Sequence, residues 1–101
     1  MLLAQVLGTV VSTRKDSSLT GLKLMLCREV DAQFRPSGQY VVAADAVGAG
    51  EHELVLLAQG SSARLTEVSR DRPVDAVIVG IVDAVESGGR DVWLKREGAR
   101  A

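Results

Sequence analysis

The sequence has few aromatic residues, a single cysteine and no excess of charge of either sign. The aromatic residues are Phe34, Tyr40 and Trp93, so we expect a core made of Val, Leu, Ile and Ala side chains. Cys27 has no second cysteine to pair with, which excludes an internal disulfide and is typical of a reducing compartment. The formal net charge of -1 gives no basic excess that would favour a nucleic acid or an anionic membrane as partner.

Apolar runs of membrane length are also absent. A transmembrane helix needs about 20 continuous apolar residues, and the sequence contains no such run. The apolar stretch from Met1 to Val11 is interrupted by Gln5 and Gly8, and it lacks the basic n-region of a secretory signal peptide. We therefore expect a soluble, cytoplasmic protein that does not enter a membrane.

The 101 residues match the length of one domain, and we expect a single domain over residues 1–101. Turn-forming clusters separate short runs rich in Val, Leu and Ile, a pattern typical of an all-β sandwich or small barrel. The predicted strands cover residues 2–13, 22–30, 40–46, 53–59, 74–85 and 91–96. Gly8 lies inside the first run, where it predicts a bulge or a sharp bend.

The connections between these runs carry their own predictions. The third and fourth runs are expected to pair antiparallel across a tight turn at Gly48-Ala49-Gly50, and the fifth and last runs to form a hairpin across residues 87–90. Residues 31–39 are expected to form a surface loop. One or two helical turns are expected near residues 61–66, with Ser61 or Ser62 as the N-cap.

Several runs are apolar on both faces, whereas a strand in a one-sided antiparallel sheet alternates apolar and polar residues. Residues 74–85 are almost continuously apolar, and in the second run we expect Leu24 and Leu26 to face inward and Met25 and Cys27 outward. A single barrel interior cannot cover both faces, so the second face needs either a helix or another subunit. We therefore expect an oligomer in which strand exteriors are buried between protomers.

No group of residues indicates catalysis or metal binding. His52, the only histidine, lies between Glu51 and Glu53 at a predicted hairpin end, where a solvated imidazole is the ordinary outcome. The nucleophile-elbow pattern is absent, and one histidine, one cysteine and scattered carboxylates have no recognised ligand spacing. We expect no enzymatic activity, no cofactor and no metal.

Two binding functions remain open at Gly60-Ser61-Ser62-Ala63-Arg64. Backbone N–H groups at a helix start, together with Arg64, form a plausible site for a small anion. The guanidinium is equally suited to hold a neighbouring subunit's carboxylate in a bidentate fork, which we favour because an oligomer is expected. A small barrel also suggests an oligonucleotide-binding module, but such sites stack bases on aromatic side chains in a basic groove, and this composition provides neither.

Four stretches together resemble the EutN/CcmL family of bacterial microcompartment vertex proteins. The first runs from Gly8 to Lys15 and leads to residues 19–24, the second is residues 44–53, the third is residues 60–64, and the last is residues 72–76 followed by 81–83. They follow the family's order and spacing over nearly the whole chain. The resemblance implies a five-stranded, oligonucleotide-binding-type β-barrel with one short helix and a C-terminal hairpin. It also implies that the barrel assembles as a cyclic pentamer.

The resemblance further implies a structural function. Such pentamers plug the corners of an icosahedral protein shell, and the partners would be the hexameric and pseudohexameric shell proteins that tile its faces. His52 departs from the family pattern, which commonly has glycine there, and a histidine adopts the left-handed conformation only at some cost. Candidate residues of the subunit interface or the pore loops are Asp45, Gly48, Ala49, Gly50, Glu53, Gly60, Ser61, Ser62, Ala63, Arg64 and Asp75.

Overall fold

A computed structural model gives the structure of the protein and describes residues 1–95 and 99–100. Five strands form a closed barrel in the order β1-β2-β3-β5-β4. They are β1 (Leu2–Val10), β2 (Leu24–Val30), β3 (Pro36–Asp45), β4 (Leu54–Gln59) and β5 (Ala76–Ile81). The expected fold class, a small five-stranded all-β barrel, is confirmed.

A second sheet and two short turns of 3-10 helix complete the structure. The sheet has the order β6-β7-β8, with β6 (Ala84–Ser87), β7 (Arg90–Leu94) and β8 (Ala99–Arg100). The 3-10 turns are η1 (Ser17–Leu19) and η2 (Gly60–Arg64). No helix in the described residues is long and apolar enough to cross a bilayer.

The barrel interior is filled by small and medium aliphatic side chains, because five strands enclose little space. The composition of this core agrees with the expectation from the sequence, with Met25 and Cys27 added to the aliphatic residues. Its buried members are Ala4, Val6, Met25, Cys27, Ala43, Ala49, Val55, Leu57, Ala76 and Ile78.

The prediction that the third and fourth runs pair with each other is wrong. β4 lies between β1 and β5, and β3 contacts β5 in parallel, through Ala44 opposite Val77 and Asp45 opposite Ile78. Residues 46–53 separate the two strands, a connection longer than the two to five residues of an ordinary hairpin loop. The chain therefore crosses the end of the barrel before β4 begins.

The predicted faces of β2 are also wrong. Met25 and Cys27 point into the barrel and are 2% and 0% exposed, whereas Leu26 points outward and is 37% exposed. Alternation assigns residues to two faces, but it does not say which face is the interior when both are apolar. The bulge predicted at Gly8 is confirmed, since the pairing of β1 with β2 shifts register between Val6 and Gly8.

The long fifth run is divided in two. β5 ends at Ile81, and β6 leaves the barrel to pair with β7. The hairpin turn at Gly88 and Gly89 is confirmed, with φ of 62° and 80°, although its first strand is β6 and Arg96 lies outside the described residues. The predicted loop at residues 31–39 is shorter than expected, because Pro36 already pairs with Val30.

Candidate functional site

Among residues 1–95 and 99–100, no cluster of three or more His, Cys, Asp and Glu side chains is placed to hold a metal ion. The His52 side chain is 78% exposed and lies 4.0 Å from the Glu51 carboxylate. Burial, with a smaller contribution from the charge of Asp45, raises the pKa of the Cys27 thiol to about 11, so this cysteine is not activated as a nucleophile.

The loop after β3 is organised by Asp45. Its carboxylate oxygens accept hydrogen bonds from the backbone N–H groups of Val47, Gly48 and Ala49 at 3.0, 3.1 and 3.0 Å. Gly48 has a φ of 78°, so the predicted tight turn is confirmed at this residue. Ala49 is 1% exposed and packs into the barrel core. Asp45 therefore shapes its own loop, and Ala49 closes the barrel.

Glu53 connects the same loop to the second sheet. One carboxylate oxygen accepts a hydrogen bond from the Gly50 N–H at 2.6 Å, and the other lies 3.0 Å from the Lys95 ammonium. These contacts, the Gly50 N–H first, hold the pKa of the Glu53 carboxyl below its ordinary value. Lys95 was missed by sequence reasoning, because it lies 42 positions away in the chain and no motif links the two residues.

The turn at His52 is fixed by backbone contacts. His52 has a φ of 70°, so the histidine adopts the left-handed conformation at a position where the family resemblance implied glycine. Its N–H donates to the Val6 carbonyl at 2.7 Å, and its carbonyl accepts from the Gln5 side chain at 3.2 Å. The Gln5 side chain in turn accepts from the Arg28 guanidinium at 2.9 Å. The turn is thus attached to both β1 and β2.

The 3-10 turn η2 packs on the outside of the barrel through Ala63, which is fully buried. Its start is held by the Gly60 N–H, which donates to the Asp75 carbonyl at 2.9 Å. The predicted serine N-cap is wrong: Gln59 occupies the cap position with no side-chain hydrogen bond, and the Ser62 hydroxyl donates back to the Gln59 carbonyl at 2.6 Å.

Arg64 lines an open groove of about 670 Å³ on this side of the barrel. In the described part of the chain its guanidinium has no hydrogen bond or ion pair. A second arginine in the groove, Arg72, is held internally and donates to the carbonyls of Ser18 and Thr20 at 3.2 and 2.7 Å. The Asp75 side chain is exposed at the start of β5.

The candidate residues therefore fall into two groups. Glu53 precedes β4 and Gly60 follows it, so six strand residues, roughly 20 Å at the usual rise, separate the two positions. A third surface was missed altogether, the exterior of β2 and β3, where Leu26, Tyr40 and Val42 are 37%, 63% and 45% exposed. The signal for it was the apolar alternation of β2, which was assigned to the wrong face.

Comparison with known proteins identifies the family. The model of the EutN_CcmL family, described as "Ethanolamine utilisation protein EutN/carboxysome", matches residues 1–83. The carboxysome shell vertex protein CcmL of Synechocystis is 49% identical over 100 residues, which cover 99% of this chain and 100% of that protein.

Solved structures agree with this match. The structure of Gloeobacter violaceus CcmL superposes with a TM-score of 0.90 at 46% identity and covers 95% of this chain and 99% of its own. A pentameric microcompartment shell protein, GrpN from Rhodospirillum rubrum, has a TM-score of 0.77 at 45% identity, with 86% of this chain and 98% of its own covered. The chain therefore belongs to the EutN/CcmL family.

Proposed function

We propose that this chain is a structural subunit of a bacterial microcompartment shell, five copies of which close into a ring that caps a vertex. The observation that carries the proposal is near full-length similarity to a shell vertex protein, 49% identity over 99% of this chain. The likeness to a pentameric shell protein at 45% identity supports the stoichiometry.

The physical function is geometric. A closed ring of identical subunits needs a heterologous interface, in which one patch of each subunit covers a different patch of the next. Five-fold closure supplies the curvature that a hexagonal layer lacks. The exposed apolar exterior of β2 and β3, which includes Leu26 and Val42, provides adhesion of the kind such a ring requires.

The chain acts as one domain over residues 1–101, without catalysis, in the protein shell of a microcompartment in the cytoplasm. Its partners are four further copies and the hexameric and pseudohexameric shell proteins of the same compartment. The contacts of the Asp45–Glu53 loop, closed by three backbone hydrogen bonds to Asp45, give it a defined shape with which to meet a neighbour.

Arg64 holds a neighbouring subunit's carboxylate in this proposal. Its exposed guanidinium lacks a partner in the described residues, and an arginine fork binds a carboxylate in a bidentate manner. Exposed carboxylates such as that of Asp75 are available on the next copy. The contact would fix the angle between subunits, while the apolar surface supplies most of the adhesion.

Co-assembly tests the function directly. The chain and hexameric microcompartment shell proteins are produced together and viewed by electron microscopy, with the hexameric proteins alone as the control. Closed polyhedral shells are expected only when the chain is present, because hexagonal layers alone do not close. Open sheets or tubes in both samples, with the chain absent from the purified assemblies, would contradict the proposal.

The role of Arg64 is tested by Arg64→Ala. We expect the far-UV spectrum and the unfolding transition of the subunit to be retained, and the midpoint of ring dissociation on dilution to move to at least tenfold higher concentration. Arg70→Ala, which removes an exposed arginine six residues away, is the control. An unchanged ring with lost affinity for inorganic phosphate would favour the small-anion site instead.

A further inference from the structure

β3 carries an open backbone edge beside an exposed apolar surface. We infer that this edge, residues Tyr40–Ala43, is where a second copy of the chain docks in the ring, by adding a strand to the barrel sheet. The inference rests on the proposed function and specifies the contact by which the ring closes.

The edge is open because the barrel closes over only a short stretch of β3. On one side β3 pairs with β2 along its length, from Pro36 opposite Val30 to Ala44 opposite Leu24. On the other side it pairs with β5 only at Ala44 and Asp45. In an antiparallel pair, alternate residues point their N–H and C=O groups away from the partner strand. Among the described residues, no strand accepts these groups between Tyr40 and Ala43.

The sequence of this edge lacks the features that protect exposed strands. Natural proteins place lysine, proline or a bulge on such edges to prevent pairing with other chains. Here Tyr40-Val41-Val42-Ala43 contains no charge and no proline, and it is rich in residues that favour strands. Proline and a bulge occur only upstream, at Pro36 and where the register shifts between Arg28 and Val30. An edge left unprotected in this way indicates a surface that is covered in use.

The side chains next to the edge form an apolar surface with a groove. Tyr40 and Val42 are 63% and 45% exposed, and Leu26, opposite Val42, is 37% exposed. At one end of this surface lies a groove of about 170 Å³, bounded by Leu19, Leu24, Val42, Ala44, Pro73, Val74 and Asp75. This volume holds one aliphatic side chain, and Asp75 is the charged residue among those that line it.

These features together indicate which kind of molecule binds at the β3 edge. Open backbone N–H and C=O groups are matched by another polypeptide strand, and an apolar groove the size of one side chain suits a protein partner better than a nucleic acid or a polar metabolite. A ring of identical subunits needs one patch on each subunit that a different patch of the next one covers. Because this chain is similar to a pentameric shell protein over 86% of its length, the partner that fits is a second copy of the chain.

The test introduces a charge on the exposed surface beside the edge. Val42→Arg places a guanidinium in the apolar surface, and Val68→Arg is the control, because Val68 is similarly exposed at 41% but lies outside the barrel strands. By native mass spectrometry at micromolar concentration, we expect the unmodified chain and Val68→Arg to remain pentameric. Val42→Arg is expected to be mostly monomeric, with its far-UV spectrum unchanged.

Hydrogen exchange then tests the strand pairing itself. Amides of residues 40–43 are expected to exchange at least tenfold more slowly in the pentamer than in the Val42→Arg monomer. If Val42→Arg proves unfolded, Tyr40→Arg replaces it, since Tyr40 is more exposed. A pentameric Val42→Arg, dissociation of Val68→Arg to the same extent, or equal exchange at residues 40–43 would overturn the inference. An unmodified chain that is monomeric would instead overturn the proposed function.

Discussion

At the scale of the residue, His52 is one of three residues other than glycine, with Phe34 and Asp71, that have a positive φ in the described structure. Its φ of 70° lies in the left-handed region, which costs a residue other than glycine about 1–2 kcal/mol. The conformation is imposed by hydrogen bonds of its N–H to Val6 and of its carbonyl to Gln5. The imidazole itself is exposed, and within the described part of the chain its one ion-pair contact is a weak one, with Glu51 at 4.0 Å. The strain is therefore not offset by contacts of the side chain.

Replacing His52 by glycine should stabilise the protein. Glycine removes the left-handed strain from the folded state, but it also raises the conformational entropy of the unfolded chain, which opposes folding. The first effect is larger, so we expect His52→Gly to raise the free energy of unfolding by about 0.5–1 kcal/mol. The measurement is urea denaturation at a fixed protein concentration, since oligomerisation makes stability depend on concentration.

Glu51→Gly is the matched control for this prediction. Glu51 is the exposed neighbour of His52 and has no positive φ, so glycine there should lower the free energy of unfolding by about 0.4–1 kcal/mol. Equal destabilisation by the two glycine substitutions would show that the turn is not strained at His52.

Residue-scale features were predictable where they depend on local chain geometry alone. The bulge at Gly8 and the positive φ of Gly48 agree with the sequence, whereas the left-handed turn at His52 was suggested only by the family resemblance. The serine N-cap failed because the start of η2 is set by a distant contact, the bond from the Gly60 N–H to the Asp75 carbonyl. No local pattern contains that information.

At the scale of the element, Glu53 and Lys95 join the start of β4 to the end of β7. The Gly50 N–H, and then Lys95, hold the pKa of Glu53 below its ordinary 4.5. The hydrogen bond and charge of Glu53 raise the pKa of Lys95 above its ordinary 10.5. The Glu53 contribution to stability is complete above about pH 4.5 and is lost as the pH falls through its lower folded value. The Lys95 contribution is complete below 10.5 and is lost as the pH rises through its higher folded value.

The acid side of this dependence gives a prediction. Melting temperatures of the unmodified chain should fall as the pH is lowered below about 4.5, and Glu53→Gln should show a shallower fall over the same range. The melting temperature of Lys95→Gln should fall more steeply with acid than that of Glu53→Gln, because in Lys95→Gln the Gly50 N–H still favours the Glu53 carboxylate. Parallel profiles for the unmodified chain and Glu53→Gln would mean that Glu53 does not contribute to the acid dependence.

Element positions were predictable from periodicity, whereas their partners were not. The strand predicted at residues 53–59 begins one residue before β4 and ends at the same residue. Its neighbours, however, are β1 and β5, and not β3 as predicted. Strand pairing across a closed barrel depends on long-range geometry that a local pattern does not contain. The prediction of which β2 residues face inward was wrong for a related reason. Met25 and Leu26 are both apolar, and only the packing of the whole barrel determines which of them is buried.

At the scale of the whole molecule, the barrel and the second sheet give an elongated shape of 46 × 24 × 23 Å. The second sheet is attached by the Glu53–Lys95 ion pair and by the rings of Phe34 and Trp93, whose centroids are 5.5 Å apart. The excess of apolar strand surface was expected from the sequence, but its placement was not: Val77 on β5 is covered within the chain by Ala63 of η2, whereas Leu26 and Val42 on β2 and β3 stay exposed. The number of subunits was not derivable from the pattern and rests on similarity to known shell proteins.

The central claim is that identical copies of this chain close into a ring of five. Native mass spectrometry of the full chain at micromolar concentration tests it most directly, because it counts the subunits in each species. The account predicts a dominant species of five times the 10.7 kDa chain mass. A predominantly monomeric or dimeric protein under these conditions would contradict it.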